Sequence, residues 1–448
     1  MKTEDKKLQK MRTDAIAIFA KGIEAVEPFS TVKNACRTEA GRLVICGKSF
    51  NLSRFNRIYM IGFGKATAPM ASAMEDLLKE HLTAGIIIVK YGHGIHMNRT
   101  RIIEAGHPIP DEKGVSGTTD ILELARQAGK NDLVICLVSG GGSSLLVHPA
   151  AGITLEDKQE ISRILIECGA TIQEINTIRK HLSAVKGGQL ASLVYPATLV
   201  TLMMSDVVGD DPGIIASGPT VPDKSTFKDC LDVMGKYNLG NRLPSRVKTH
   251  LENGLNGLVN ETPASNHEAF KTSWHWVIGN NMTAILSAQK EAERLTYNTV
   301  ILSSMIEGEN RHVAAVHTAI VREIMKTGHP INVPACILSG GETTVTVTGK
   351  GKGGRNQEFA LACVKNIHDL GQVVILSTGT DGTDGPTDAA GAIVDSHTFS
   401  RSRSLCLDPE AYLRNSDSYE FFKKLDDLFI TGPTHTNVMD LRILLVDV

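Results

Sequence analysis

The sequence predicts an α/β protein built on a mostly parallel sheet with helices on both faces. Three observations predict it. Short β-branched runs alternate with stretches of helical periodicity. Clusters of glycine fall where those runs end and the helices begin, which is where ligands bind in such sheets. The alternation falters once, over 224–273, where polar residues and Asn-Gly and Leu-Pro breakers accumulate, and then resumes. The 448 residues therefore divide into two domains, expected at 1–255 and 256–448.

The elements follow in order. Met11, Ala15, Ile18, Phe19, Gly22 and Val26 recur at helical spacing, so an amphipathic helix opens the chain and ends near Pro28. Strands are predicted at 57–62, 84–89, 132–139 and 197–205, with helices at 66–81, 116–128, 155–168 and 172–182. Beyond the break, a strand at 275–279 precedes a helix at 282–295, a strand at 298–303 and a helix at 311–327. Strands at 335–339 and 343–347, a helix at 356–370 and a strand at 373–378 come next. The apolar run 440–448 is a closing strand, with the option of packing back on the N-terminal domain.

Composition narrows the function classes. Hydrophobic residues are 42% and charged residues 21%, as in an ordinary globular chain able to bury two cores. A formal net charge of −2 offers no global field for nucleic acid or an anionic membrane, so any anion must be bound by local groups. The start, MKTEDKKLQKMRTDAIAIF, mixes both charge signs and lacks the apolar centre of a secretion signal. No stretch approaches the ~18 apolar residues of a membrane span. Eight cysteines contain no CxxC pair, which argues against a zinc site and for reduced thiols in the cytoplasm. Monomer and homodimer are equally compatible with the sequence.

Five loops carry the candidate chemistry. In the first, Gly62 and Gly64 admit close backbone approach, and Lys65 stands at a helix N-terminus, where the dipole disfavours a cation unless an anion is bound there. In the second, Ser139, Gly140, Gly141, Gly142, Ser143 and Ser144 form a phosphate cradle that is not a Walker A loop. The third, Ser205–Pro212, crowds Asp206, Asp210 and Asp211 at a strand end, a donor set suited to Mg²⁺. The fourth, GKGKGGRNQ at 349–357, places Gly354, Arg355 and Asn356 at the start of a helix, with the arginine able to grip an anion bidentately. The fifth, 379–388, adds Asp381 and Asp384 as metal or ribose ligands, against a plain surface turn. His107, Arg179, His181 and Lys186 stand near these loops as substrate-binding candidates. Cationic and acidic loops converging on strand ends are what phosphoryl transfer needs.

The same loops carry a family resemblance. GFGKA at 62–66, LVSGGGSSL at 137–145, NTIRKHLSAVKGGQLA at 176–191 and SDVVGDDPGIIASGPT at 205–220 resemble the glycerate 2-kinase family, as do GGETTVTV at 340–347, GGRNQEFAL at 353–361 and GTDGTDGPTDAAGA at 379–392. The resemblance runs from about residue 12 to the end. It implies a larger, Rossmann-like N-terminal domain, a C-terminal α/β domain of the MOFRL type, and transfer of the ATP γ-phosphate to D-glycerate in an interdomain cleft with Mg²⁺. The family's cleft lysine and arginine match Lys65 and Arg355. Lys65, Arg355 and Asp206 are thus the expected catalytic residues, and Asp206, Asp210 and Asp381 the expected metal ligands.

Two other classes stay in view. A nicotinamide-dependent hydroxypyruvate reductase would use Gly62-Phe63-Gly64-Lys65-Ala66-Thr67 as its dinucleotide fingerprint, but threonine stands where the third glycine belongs, and no acidic residue follows at the required ~20 positions. A non-catalytic metabolite sensor would need an effector module, and none is recognisable.

Overall fold

The computed structural model describes residues 2–240 and 242–448, and the side chains from residue 5 onward. The chain forms two compact units, one of Pro28–Ile278 and one that joins the first 27 residues to Gly279–Val448. This differs from the expected 1–255/256–448 division in two ways. The polar stretch after 224 is not a linker: it carries the helices Phe227–Lys236 and Ser245–Leu255 of the first unit. The opening helix Lys2–Glu24 belongs to the second unit, because its apolar stripe packs there.

The unit Pro28–Ile278 is organised by one six-stranded sheet. In spatial order its strands are Thr100–Ala105, Ala84–Lys90, Arg57–Phe63, Asp132–Val138, Thr198–Met204 and Ser273–Gly279. The pairings among the first five are all parallel. Every residue of Asp132–Val138 is buried, the mark of a central strand covered on both faces. The chain begins mid-sheet at Arg57–Phe63, winds outward one way, then returns to Asp132–Val138 and winds the other way. The reversal lies between these two neighbours. In doubly wound sheets that switch point opens a crevice at the strands' carboxyl ends. Here it carries the loops 62–66 and 139–144.

The helices around the sheet start where local chemistry directs. Thr154 and Thr171 each close a capping box, with Asp157 and Glu174, at the heads of Leu155–Glu167 and Ile172–His181. Asp111 caps Glu112–Arg126 by accepting from the Gly114 N–H.

The second unit holds a mixed sheet in the order Asn298–Ile306, Ala335–Gly341, Asp440–Asp447, Gln372–Gly379, Gly391–Asp395, Leu428–Phe429. The closing strand is its centre, antiparallel to both neighbours. One face carries the helix Lys2–Glu24 through Met11, Ala15, Ile18 and Phe19. The other carries Phe359, Leu361 and Val364 of the helix Arg355–Val364. The strand expected at 343–347 reduces to one bridge, Glu309 with Thr344, because Thr343 turns its hydroxyl inward to Asn310 Oδ1 at 2.9 Å. The helix expected to 370 stops at Val364.

Candidate active site

At the switch point the two glycine loops interlock. The Lys65 N–H donates to the Gly140 carbonyl at 2.9 Å, and the Ala66 N–H donates to Ser139 Oγ at 3.0 Å. Ser139 Oγ also meets Thr67 Oγ1 at 3.0 Å. Gly64 makes this possible: its φ of 138° suits glycine, and a Cβ there would stand 2.1 Å from Ser139 Oγ. Ser139 is therefore a buried brace between loops, and Ser143 meets Ser217 Oγ at 2.9 Å. The Lys65 ammonium makes no hydrogen bond or ion pair among the described residues, so the cation read from the sequence has no protein partner. His107 lies against Gly141 beside it. Burial, then Lys65, Lys90 and His93, push the His107 imidazole down to about 4, so it is neutral at physiological pH.

Asp206 ends the strand Thr198–Met204 two residues on and reaches the same loops. A Cβ on Gly140 would stand 2.1 Å from Asp206 Oδ2. Glycine at 140 is what admits the carboxylate. Asp210 sits further along in a turn at φ 55°.

Arg179 and Lys186 line one cavity of about 860 Å³, together with His107, Gly141, Ser143, Ser144 and Lys158. Lys186 is 2% exposed and donates to the Ser143 carbonyl at 2.7 Å. Burial, then Lys158 and Arg179, hold its amine well below the usual lysine range. His181, the remaining histidine candidate, has a structural place: its ring bridges the Thr177 carbonyl at 2.8 Å and Glu261 Oε2 at 3.0 Å.

In the second unit Arg355 opens its helix as read from the sequence, but it is not waiting for an anion. Its Nε donates to Asp440 Oδ2 at 2.8 Å and Oδ1 at 3.0 Å, and its Nη1 to Glu342 Oε1 at 2.6 Å. Burial alone would depress this guanidinium; Asp440 and Glu342 raise it instead. Nη2 makes no hydrogen bond among the described residues, and that edge alone is left for a ligand. The expected cradle of Gly354 and Asn356 is not available to a phosphate. The N–H groups of Asn356 and Gln357 already donate to the buried Asp384 carboxylate, at 3.0 and 2.8 Å. A carboxylate of the chain occupies the helix N-terminus, as the dipole favours. Burial raises Asp384 to about 6 despite those two N–H donors. Asp381 closes a small turn by accepting from the Thr383 N–H at 3.0 Å.

Residues 14–252 match a family model described as a domain of unknown function, DUF4147, and residues 335–440 match the MOFRL family. A glycerate 2-kinase of Pyrococcus horikoshii is 41% identical over 437 residues, 97% of each chain. The chain belongs to the glycerate 2-kinase family. The solved glycerate kinase of Thermotoga maritima superposes with a TM-score of 0.87 at 39% identity, covering 98% of this chain and 100% of that one. A relative from Agrobacterium vitis, named provisionally as a hydroxypyruvate reductase, is 43% identical over 87% of this chain and 99% of its own.

For this glycerate 2-kinase family member, Mg²⁺ is the implied metal. Among the described residues no group of three or more His, Cys, Asp or Glu is arranged to hold a metal ion. Mg²⁺ does not require one, since it takes one or two carboxylates and completes its shell with water and phosphate. The notch that Gly140 leaves for Asp206 fits that requirement.

Sequence reasoning missed Lys158, Glu342 and Asp440. Lys158 reads as an ordinary polar position of an amphipathic helix, and nothing local marks it as buried. Asp440 had a faint signal: Asp440 and Arg442 are opposite charges two apart in an otherwise apolar strand, hence on one face.

Proposed function

We propose that the chain is an ATP-dependent glycerate kinase that converts D-glycerate to 2-phosphoglycerate. The observation that carries it is the switch point, where Lys65, without a carboxylate partner among the described residues, stands over a loop of three glycines and three serines, beside Asp206. The glycerate 2-hydroxyl attacks the γ-phosphorus, the bond to the β,γ-bridging oxygen breaks, ADP leaves, and the hydroxyl proton passes to solvent. Such a transfer needs positioning and charge neutralisation more than covalent chemistry. Lys65 supplies positive charge to the phosphoryl oxygens, and the loop 139–144 holds the phosphate backbone in place. Asp206 would hold Mg²⁺, which would neutralise charge on the donor phosphates. His107, Arg179 and Lys186 bind anionic substrate groups. Arg355, steered by Asp440 and Glu342, presents its remaining edge to substrate.

A reductase is the second reading because related chains carry that name. The first loop does not support it: Thr67 stands where the third glycine of a pyrophosphate-binding turn belongs. We also place the enzyme in the reducing cytosol, a reading supported by eight free cysteines. No helix among the described residues is long and apolar enough to cross a membrane.

The test is a product assay with ATP, Mg²⁺ and each glycerate enantiomer, resolving 2- from 3-phosphoglycerate. Formation of 2-phosphoglycerate from the D enantiomer, stopped by chelator, is expected. Exclusive 3-phosphoglycerate would reject the regiochemistry, and undiminished turnover in excess chelator would reject Mg²⁺. Nicotinamide oxidation with hydroxypyruvate in place of kinase turnover would reject the reading altogether.

A further inference from the structure

The Lys65 carbonyl is a backbone group that the following helix cannot satisfy. Lys65 stands just before the helix Thr67–Leu78, and the residue four positions on, whose N–H could reach back to it, is Pro69, which has none. Among the described residues no backbone N–H donates to this oxygen. A side chain does so instead. His93 brings its Nδ1 to the Lys65 carbonyl at 2.9 Å. A carbonyl can only accept, so Nδ1 carries the hydrogen and donates it. Lys65 is thus held on both sides of its α-carbon, its N–H by the Gly140 carbonyl at 2.9 Å and its carbonyl by His93. The two partners follow opposite neighbours of the strand Arg57–Phe63: Gly140 follows Asp132–Val138, and His93 follows Ala84–Lys90.

The imidazole is itself set in place. His93 closes a turn by donating its N–H to the Lys90 carbonyl at 3.0 Å. The glycines on either side of it, Gly92 and Gly94, both donate their N–H groups to Glu104 Oε1, each at 3.0 Å. Glu104 belongs to the next strand, Thr100–Ala105, opposite Val89 in the register. Gly92 has a φ of 76°, which suits glycine. One carboxylate oxygen therefore clamps the turn on both flanks of a single ring, with hydrogen bonds to a charged acceptor that are roughly twice as strong as neutral ones. A histidine that only covered surface would need no such clamp.

We propose that His93, clamped by Glu104, is a positioning residue for Lys65. It fixes the peptide from which the lysine side chain extends, and so narrows the range over which the ammonium meets the phosphoryl oxygens. It acts through Lys65 rather than on the substrate. The proposal rests on the kinase reading and deepens it: the cation must be presented from a fixed backbone, because a misplacement of about 1 Å can cost on the order of 10²-fold in rate.

The experiment compares substitutions that differ only in where they place a donor. His93→Asn puts an amide N–H where Nδ1 stands, His93→Gln puts it where Nε2 stands, and His93→Ala removes it. In His93→Ala and His93→Gln, kcat is expected to fall about 10–100-fold while the KM values for ATP and glycerate stay within about twofold. His93→Asn is expected to keep kcat within about threefold of the wild type, a rescue that a packing role would not give. In a Lys65→Ala background, His93→Ala is expected to add less than about twofold. Glu104→Ala, which keeps the ring and frees its turn, is expected to lower kcat at least about threefold. Amide hydrogen exchange over 64–68 reads the tie without turnover: about tenfold faster in His93→Ala, and as in the wild type in His93→Asn. Should His93→Ala not fold, the contrast between Asn and Gln decides alone. Wild-type kcat in His93→Ala overturns the proposal, as does an equal loss in His93→Asn, or a loss undiminished in the Lys65→Ala background. The two readings fail separately. A wild type without glycerate-dependent turnover, but with exchange at 64–68 that depends on His93, removes the kinase and keeps the positioning role; turnover and exchange both indifferent to His93 do the opposite.

Discussion

The Asp206 carboxylate occupies the space that a side chain on Gly140 would need, Oδ2 lying 2.1 Å from where that Cβ would stand. The atom in the way belongs to a side chain, not to the backbone, so Gly140→Ala displaces the Asp206 carboxylate from its place. The fold is expected to survive with a melting temperature close to the wild type's. Turnover is expected to fall about 10²-fold or more, the scale of losing one well-placed electrostatic group. Normal turnover in Gly140→Ala would detach Asp206 from catalysis.

Asp206→Asn tests the metal role directly. The amide keeps the shape and removes the charge that a hard cation needs. The Mg²⁺ concentration for half-maximal turnover should rise at least about tenfold, with kcat partly recovered at high Mg²⁺. A lowered kcat with an unshifted Mg²⁺ dependence would assign Asp206 to the attacking hydroxyl instead.

Arg355 makes a different prediction from the one its helix position alone suggests. Asp440 is 0% exposed and sits between Arg355 and Arg442. Removing one partner of a buried pair commonly costs ~3–5 kcal/mol, because a charge is left uncompensated. Arg355→Ala is therefore expected to lose stability as well as activity, whereas Arg355→Lys keeps the charge but not the fork and should lose mainly activity. Chemical denaturation measures the first and steady-state kinetics the second. The double variant Arg355→Ala, Asp440→Asn should be more stable than the sum of the single losses, which a double-mutant cycle reads.

These cases also show what the sequence could and could not convey. The loops at 62–66, 139–144 and 205–212 were legible because glycine, lysine and aspartate at strand ends have few structural uses there. The parallel sheet was legible because fully buried strands read as unbroken apolar runs. Arg355 was found, but its partners were not: Glu342 lies 13 residues away and Asp440 85 residues away, and only the sheet register brings them together. The Gly354 and Asn356 cradle failed for the same reason. A helix N-terminus predicts an anion, and nothing local shows that Asp384, 28 residues on, is that anion. The opening helix was placed correctly, but its stripe does not say which core it covers.

Lys158 yields a stability prediction whose sign is set by the direction of its shift. Its amine titrates near 7 in the folded chain against 10.5 for the unfolded reference. Above 10.5 it is neutral in both states and costs nothing electrostatically. As pH falls from 10.5 to 7, the unfolded chain binds a proton that the folded chain refuses, so folding is progressively disfavoured. Below 7 both states are protonated and the penalty is complete. The buried ammonium thus destabilises the free protein most at and below neutral pH, by an amount on the order of a few kcal/mol. Lys158→Met removes that penalty and also removes the hydrogen bond to the Leu182 carbonyl, worth roughly 1 kcal/mol. The variant is therefore expected to be more stable than the wild type at pH 7. The advantage should shrink steadily between pH 7 and pH 10, and the two curves should cross near the upper end, where the neutral amine keeps its hydrogen bond. Urea denaturation at pH 7, 8.5 and 10, without nucleotide, measures it. A variant less stable than the wild type at pH 7 would mean that the ammonium is well solvated or counter-charged in the folded protein.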